Sequence, residues 1–460
     1  MSNGRLPLET WDKLHNWHPF TPMASYLAKE PMIITHARGF SLFDQHGREY
    51  IDGFSSLWCN VHGHRVPDLD EAIRSQLQKV AHSTFLGLSN EPATILSKRL
   101  VDLAPSGLKR VFYSDSGATA VEVAIKMAFQ YHQQKENPQP EKTKFLSFSG
   151  AYHGDTMGDV SIGDLGRFHD MFKPIMFPTI KSPAPHCKRC HWNMQPSTCG
   201  LACANFLEEL IAGNAGTLAA VVIEPLVQGA AGMITAPGGF LRKVREITKK
   251  HGVLLIADEV AVGFGRTGTL FACEQEDVIP DFLCLGKGIT GGYLPLAATL
   301  THEHIFEAFL NQPGGPDKTF QHGHTYTANP LGAAVAIASL DLLTAREGVL
   351  EKIAGKVEQL QKHLEKLKAF PEVFEIRGKG FMIGIEIKPA SNQTDKDGET
   401  LAALICSEAI HQGLMIRPLG NVVVLIPPPA IPEELVDRIG LVIYNSFRKI
   451  LGSECSQGNS

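Results

Sequence analysis

Short apolar runs recur along the chain between stretches of helical spacing. The clearest are Val111-Phe112-Tyr113, Phe145-Leu146-Ser147-Phe148, 219–223, 253–257 and 282–285. Runs this short, continuous rather than alternating, suit strands covered on both faces. Their alternation with helical patterns predicts an α/β fold around a mostly parallel sheet, of a seven-stranded type. Residues 68–80 carry Leu69, Ile73 and Leu77 at i, i+4 and i+8, the stripe of an amphipathic helix. Ahead of it, Ile33-Ile34-Thr35 and Ser41-Leu42-Phe43-Asp44 read as short strands broken by turns at Arg38-Gly39 and Gln45-His46-Gly47. After residue 331 the signals alternate again, with helices over 332–343, 349–367, 400–411 and 432–450 and strands over 374–377, 381–387 and 422–426. The pattern predicts a large domain over 68–330 and a small α+β domain built from both termini, 1–67 and 331–460, with a frayed tail after 452.

Composition narrows the function more than the fold. A chain of 460 residues exceeds what one core usually spans, in keeping with more than one domain. A net charge of −5 without a basic tract argues against nucleic acid as a partner. No apolar run reaches the roughly 18 residues of a membrane span, and residues 1–9 carry no apolar leader segment. Nine cysteines, an odd number and few for the length, read as free thiols in a reducing cytoplasm.

The chemistry concentrates in Asp258-Glu259-Val260, Gly263-Phe264-Gly265-Arg266-Thr267-Gly268 and Gly286-Lys287-Gly288. Asp258 and Lys287 each follow an apolar strand, 29 positions apart, at the strand ends where open α/β sheets place ligands. A partly desolvated lysine amine between glycines suits a Schiff base with an aldehyde. A buried aspartate facing a pyridine nitrogen keeps that nitrogen protonated, which makes the ring an electron sink. Ser116-Gly117-Ala118 lies between a strand and a helix start, a place for phosphate, although Ser116 alone reads first as an ordinary helix cap. Tyr152 and His153 follow another strand, where an aromatic can stack on a flat ring. In His322-Gly323-His324-Thr325, Thr325 can offer a hydroxyl to phosphate, while the histidines fit no usual metal spacing.

Together these motifs resemble the class III, fold-type I aminotransferases that use pyridoxal 5'-phosphate (PLP). The resemblance runs from about 15 to 450. Within the class, the chain is most similar to the branch that aminates 8-amino-7-oxononanoate in biotin biosynthesis. Trp17-His18-Pro19-Phe20-Thr21, Asp52 through Trp58, Gly150 through Thr156, Ile223-Glu224-Pro225, Val227-Gln228-Gly229 and Ile416-Arg417-Pro418 carry that narrower likeness. It implies a homodimer acting on small molecules. Lys287 would be the Schiff-base lysine and Asp258 the partner of the pyridine nitrogen. Gly117, Ala118 and Ser116 would hold the phosphate, with His324 and Thr325 reaching it from the second subunit. Tyr152 would cover the ring, and His153 and Glu224 would complete the cofactor site. Phe20, Leu57, Trp58, Tyr152, Gly323 and Lys287 would line the substrate site, and Arg417 would bind the keto acid's carboxylate.

Two positions depart from members that use S-adenosylmethionine as amino donor: Phe20 replaces a tyrosine and Leu57 a tryptophan. Ser56-Leu57-Trp58 with His322-Gly323-His324-Thr325-Tyr326-Thr327 resembles the branch that uses lysine, with S-adenosylmethionine the donor of the group at large. The alternatives are a class III enzyme for ω-amino acids or diamines, and a non-catalytic metal- or partner-binding protein on the same scaffold. Cys187, Cys190, Cys199 and Cys203 stand in Cys-x2-Cys-x8-Cys-x3-Cys order within an insertion over about 183–204. The second spacing matches no standard knuckle, so no metal is assigned; zinc or iron–sulfur is the alternative.

Overall fold

Residue-by-residue alternation explains the continuous apolar runs. In the computed structural model, which describes residues 7–346, 348–388 and 395–452, Leu254 and Ile256 point into one core. Leu255 and Ala257 of the same strand point into another. A strand buried on both faces needs apolar residues at every position, so it shows no polar alternation. The strand belongs to a seven-stranded sheet ordered Leu108–Ser114, Ala297–His302, Phe282–Leu285, Leu254–Asp258, Leu218–Ile223, Lys144–Phe148, Ile180–Ser182. Only Ala297–His302 runs against its neighbours. The chain returns to it from the end of Phe282–Leu285 through a short 3-10 turn over Lys287–Thr290, so no crossover helix is needed. The sequence reading does not pick out this strand, because Thr299, Thr301 and His302 interrupt its apolar run.

Helix Gly117–Gln134 covers one face through Val121, Ala124 and Ala128. Helices Glu91–Leu103, Ala202–Asn214 and Phe240–Lys250 cover the other through Leu96, Leu207 and Val244. Helix Pro330–Thr344 joins that second core through Ala333, Ala336 and Leu340. The sequence division after residue 330 puts it with the small domain. Its small apolar side chains instead pack against Pro67–Leu77 and Glu91–Leu103, so it belongs with the large core.

A separate core gathers the C-terminal part. There the strands Val373–Lys379, Met382–Ile387, Val422–Leu425 and Arg417–Leu419 form an antiparallel sheet. Helices Val349–Glu365, Asp395–His411 and Glu433–Leu451 pack on it. The N-terminal strands Ile34–Arg38, Ser41–Asp44 and Glu49–Asp52 attach through Ile51, which pairs with Leu414. The predicted tail after 452 lies outside the described residues. Among the described residues no helix is long and apolar enough to cross a membrane.

Candidate active site

Five chemically distinctive segments leave the sheet at one edge, the carboxyl ends of its parallel strands. Ser116-Gly117-Ala118 follows Leu108–Ser114, Tyr152-His153 follows Lys144–Phe148, and Glu224 follows Leu218–Ile223. Asp258 ends its own strand and Lys287 follows Phe282–Leu285. Trp58, Gly117, Ala118, Tyr152, His153, Glu224, Asp258 and Lys287 line one cavity of about 450 Å³, with Asp155, Thr156, Val260 and Ala261.

Asp258 is buried and fixed on both oxygens. Its Oδ2 lies 2.7 Å from His153 Nδ1, and its Oδ1 accepts the Val260 N–H at 3.0 Å. Glu224 accepts the Tyr152 and Gly229 N–H groups at 3.2 and 2.9 Å. Burial pushes its carboxyl up to about 7, so near neutral pH it is only partly ionised. Lys287 Nζ sits 5.1 Å from the centre of the Trp58 ring, and burial lowers its amine below the usual lysine range. Its backbone is left-handed at φ 42°, a strained conformation for a residue with a side chain.

The Gly117 position is read most directly from space. A Cβ there would come within 2.3 Å of Val260 Cγ1, so only glycine lets the helix start approach the cavity floor. Ser116 caps that helix by accepting the Thr119 N–H, and Thr119 returns a bond to the Ser116 N–H. The N–H groups of Gly117 and Ala118, first in the helix, have no carbonyl within it to bind and face an anion-favouring end.

A second cavity, of about 120 Å³, adjoins at Trp58, Tyr152 and Lys287. Phe20, Leu57, Phe168, Ala230, Leu419 and Val424 make it apolar, and Arg417 supplies its other cation. Its wall depends on an unusual turn. Ser55, Ser56, Leu57 and Trp58 all have positive φ, from 49° to 80°. Buried Arg266, from the glycine-rich motif, holds the turn by donating to Trp58 O at 3.3 Å, Asn60 O at 3.0 Å and Ser55 Oγ at 3.0 Å. Asp52 accepts the Ser56 N–H and hydroxyl at 2.8 and 2.6 Å.

Sequence reasoning singles out most of these residues, gives no role to Asp155, Thr156 and Val260 although it quotes them within its motifs, and misses Phe168, Ala230, Ala261, Leu419 and Val424. Phe168 carries no motif. Ala230, Ala261 and Leu419 directly follow quoted motifs, while Val424 lies within a strand of the smaller sheet and becomes a wall residue only where that sheet meets the cavity. In the opposite direction, Gly323, His324 and Thr325 line neither cavity. Gly323 and Thr325 are exposed, and His324 Nδ1 lies 3.0 Å from Asp115 Oδ2, next to the phosphate-type turn. The four insertion cysteines are free and lie outside both cavities.

A lysine and an aspartate at neighbouring strand ends, with a helix start beside them, define the site of a PLP-dependent transferase. Residues 24–447 match the family Aminotransferase class-III, and the chain belongs to that family. It is 52% identical to adenosylmethionine-8-amino-7-oxononanoate aminotransferase of Nitratidesulfovibrio vulgaris, over 94% of this chain and 80% of that protein. The crystal structure of the enzyme of the same name from Methanocaldococcus jannaschii superposes with a TM-score of 0.89 at 40% identity, covering 96% of this chain and 99% of that one. A PLP-bound amine transaminase from an uncultivated Pseudomonas species superposes with a TM-score of 0.89 at 34% identity, covering 95% and 99%. The chain is therefore a PLP-dependent aminotransferase.

Proposed function

We propose that this enzyme aminates 8-amino-7-oxononanoate to 7,8-diaminononanoate in biotin biosynthesis, with S-adenosylmethionine or lysine as donor. The observation that carries the reading is the second cavity. Its apolar walls suit a long aliphatic chain, and Arg417 offers a planar fork for a carboxylate across from the Lys287 amine. The acceptor is also the one named for the relatives.

PLP fits the first cavity. Asp258 would face the ring nitrogen, and the Gly117 and Ala118 N–H groups would take the phosphate. Tyr152 and Val260 would border the ring, and Lys287 would carry the covalent link. When bound, this cofactor supplies an aldehyde that captures amines and a ring that accepts electrons from the neighbouring carbon. Asp258, oriented by His153 and the Val260 N–H, keeps a proton on the ring nitrogen. Lys287 Nζ moves the proton at the substrate carbon, and its lowered pKa leaves more free amine for that task near neutral pH. Trp58 and Tyr152 close water off from the junction of the cavities. Donor and acceptor occupy the same space in turn, which is ping-pong chemistry.

The second subunit of a homodimer would bring His324 and Thr325 to the phosphate. Their position outside this chain's cavities supports that reading, as do exposed Trp17, Leu86 and Tyr326. The donor names of the relatives favour S-adenosylmethionine. Phe20 and Leu57 favour lysine, because they remove a hydroxyl and an indole from the wall. A donor panel tests the whole proposal. Holoenzyme is mixed with S-adenosylmethionine, lysine or β-alanine, then 8-amino-7-oxononanoate, and the product is read by mass. Diaminononanoate with either of the first two is the expected result. Turnover with β-alanine and none with this acceptor would assign the protein to the ω-amino acid enzymes instead.

A further inference from the structure

The insertion cysteines have no part in the chemistry above, yet the fold collects them. Cys187 and Cys190 flank a turn after the strand Ile180–Ser182, Cys199 closes the next turn, and Cys203 is the second residue of helix Ala202–Asn214. All four line one partly open pocket whose space for a water-sized body is about 20 Å³. That is room for a single water-sized body, since one probe sphere needs roughly 10–15 Å³. Four cysteines lining one small pocket, two on a Cys-x2-Cys turn, one on the next turn and one in the first turn of a helix, supply the donor types of a closed tetrahedral metal site.

Cys203 lies in the first turn of a thirteen-residue helix with no acidic residue in that turn, where the positive end of the helix dipole opposes the burial that pushes its thiol up. Lys188 and Arg189 stand between the first two cysteines. Of the segment's other polar groups, His186 Nε2 lies 3.1 Å from Glu375 and Arg189 pairs with Glu386. The pocket presents four sulfurs, with the His186 and His191 rings also on its lining.

We propose that Cys187, Cys190, Cys199 and Cys203 bind one structural zinc ion. Each thiol loses its proton to solvent as its sulfur bonds the ion, leaving a site of net charge −2. Glu9, Glu30 and His46 are the one group among the described residues with three ligand atoms within 4.8 Å of each other. The sulfurs stand wider than that, so the ion draws the two turns inward toward Zn–S distances of about 2.3 Å. With four sulfurs the site keeps no open position, and its role is to hold the insertion. The insertion in turn carries His186 and Arg189 to Glu375 and Glu386 on the strands of the smaller sheet. The ion therefore fastens a large-sheet connection to the smaller domain.

Elemental analysis of holoenzyme purified without chelator is the first test, with one zinc per chain expected. A mercurial that titrates the thiols should release that zinc. Cobalt(II) exchanged into the protein should give the intense visible bands of a tetrahedral thiolate site, away from the cofactor's absorbance. Cys190→Ser and Cys199→Ser should each lose most of the zinc and melt several degrees lower while keeping the cofactor's band. If those variants do not fold, the cobalt titration of the unaltered protein decides alone. Absence of stoichiometric zinc with no cobalt uptake, iron with sulfide in its place, or the four cysteines mapped as disulfides would each overturn the proposal.

Discussion

Single residues divide the work between the cofactor and the substrate. Lys287→Ala removes the only amine on the floor shared by both cavities. The variant should lose borohydride-fixable cofactor and cut turnover by about a thousandfold or more, as loss of a covalent nucleophile does. Arg417→Ala should raise KM for the keto acid far more than for the donor, at a cost of about 2–5 kcal/mol for a desolvated carboxylate pair. Steady-state kinetics with each substrate varied in turn checks this, and equal effects on both would remove Arg417 from the carboxylate role. Lys287 and Asp258 were legible because each is declared by its immediate neighbours, an apolar strand on one side and a glycine or acidic turn on the other. Phe168 and Val424 were not, because an apolar residue looks the same in sequence whether it faces a core or a cavity.

Elements set how closely these residues approach. The helix start at Gly117 touches Val260, so Gly117→Ala should weaken cofactor binding at least about tenfold, since overpacking costs about 1–3 kcal/mol. Pairing it with Val260→Ala removes both methyl groups from the clash and should restore much of the loss. Cofactor titration by absorbance separates the two variants. The left-handed turn Ser55–Trp58 is held by Arg266, whose fork meets acceptors on both sides of the turn. Arg266→Lys keeps the charge but cannot span Ser55, Trp58, Asn60 and Pro427 together. Each abandoned buried carbonyl costs about 1–3 kcal/mol. A drop in the thermal midpoint, with altered substrate KM from a displaced Leu57 and Trp58, is the expected outcome. Sequence marks Arg266 only as part of a glycine-rich motif. Its partners lie more than 150 positions away, as the Ser55 and Pro427 bonds show.

At the scale of the whole molecule, buried histidines couple folding to pH. His62 bonds Ser339 and so ties the N-terminal segment to helix Pro330–Thr344, while His132 bonds the Ala219 carbonyl in the sheet. Burial lowers both imidazoles from 6.5 to about 4. Below 6.5 the unfolded chain takes up protons that the folded one refuses, so stability is lost as pH falls from about 6.5 to 4. Thermal midpoints measured across that window should decline, and His62→Gln should make the decline shallower.

The hydrophobic pattern by itself determined the alternating α/β fold, since strands covered on both faces must be apolar throughout and their ends must turn through polar, glycine-rich residues. The same local rule marked the lysine, the aspartate and the phosphate-type helix start, which need only a strand end and a short motif. What only the tertiary structure decided is which distant segments meet there. It placed helix Pro330–Thr344 with the large core, reversed one strand of the sheet, built a left-handed wall on a buried arginine, and left His324 and Thr325 outside the cavities. It also gathered four cysteines from two turns and a helix around one small space. Those outcomes depend on packing between surfaces far apart in the chain, and no window of sequence contains both surfaces.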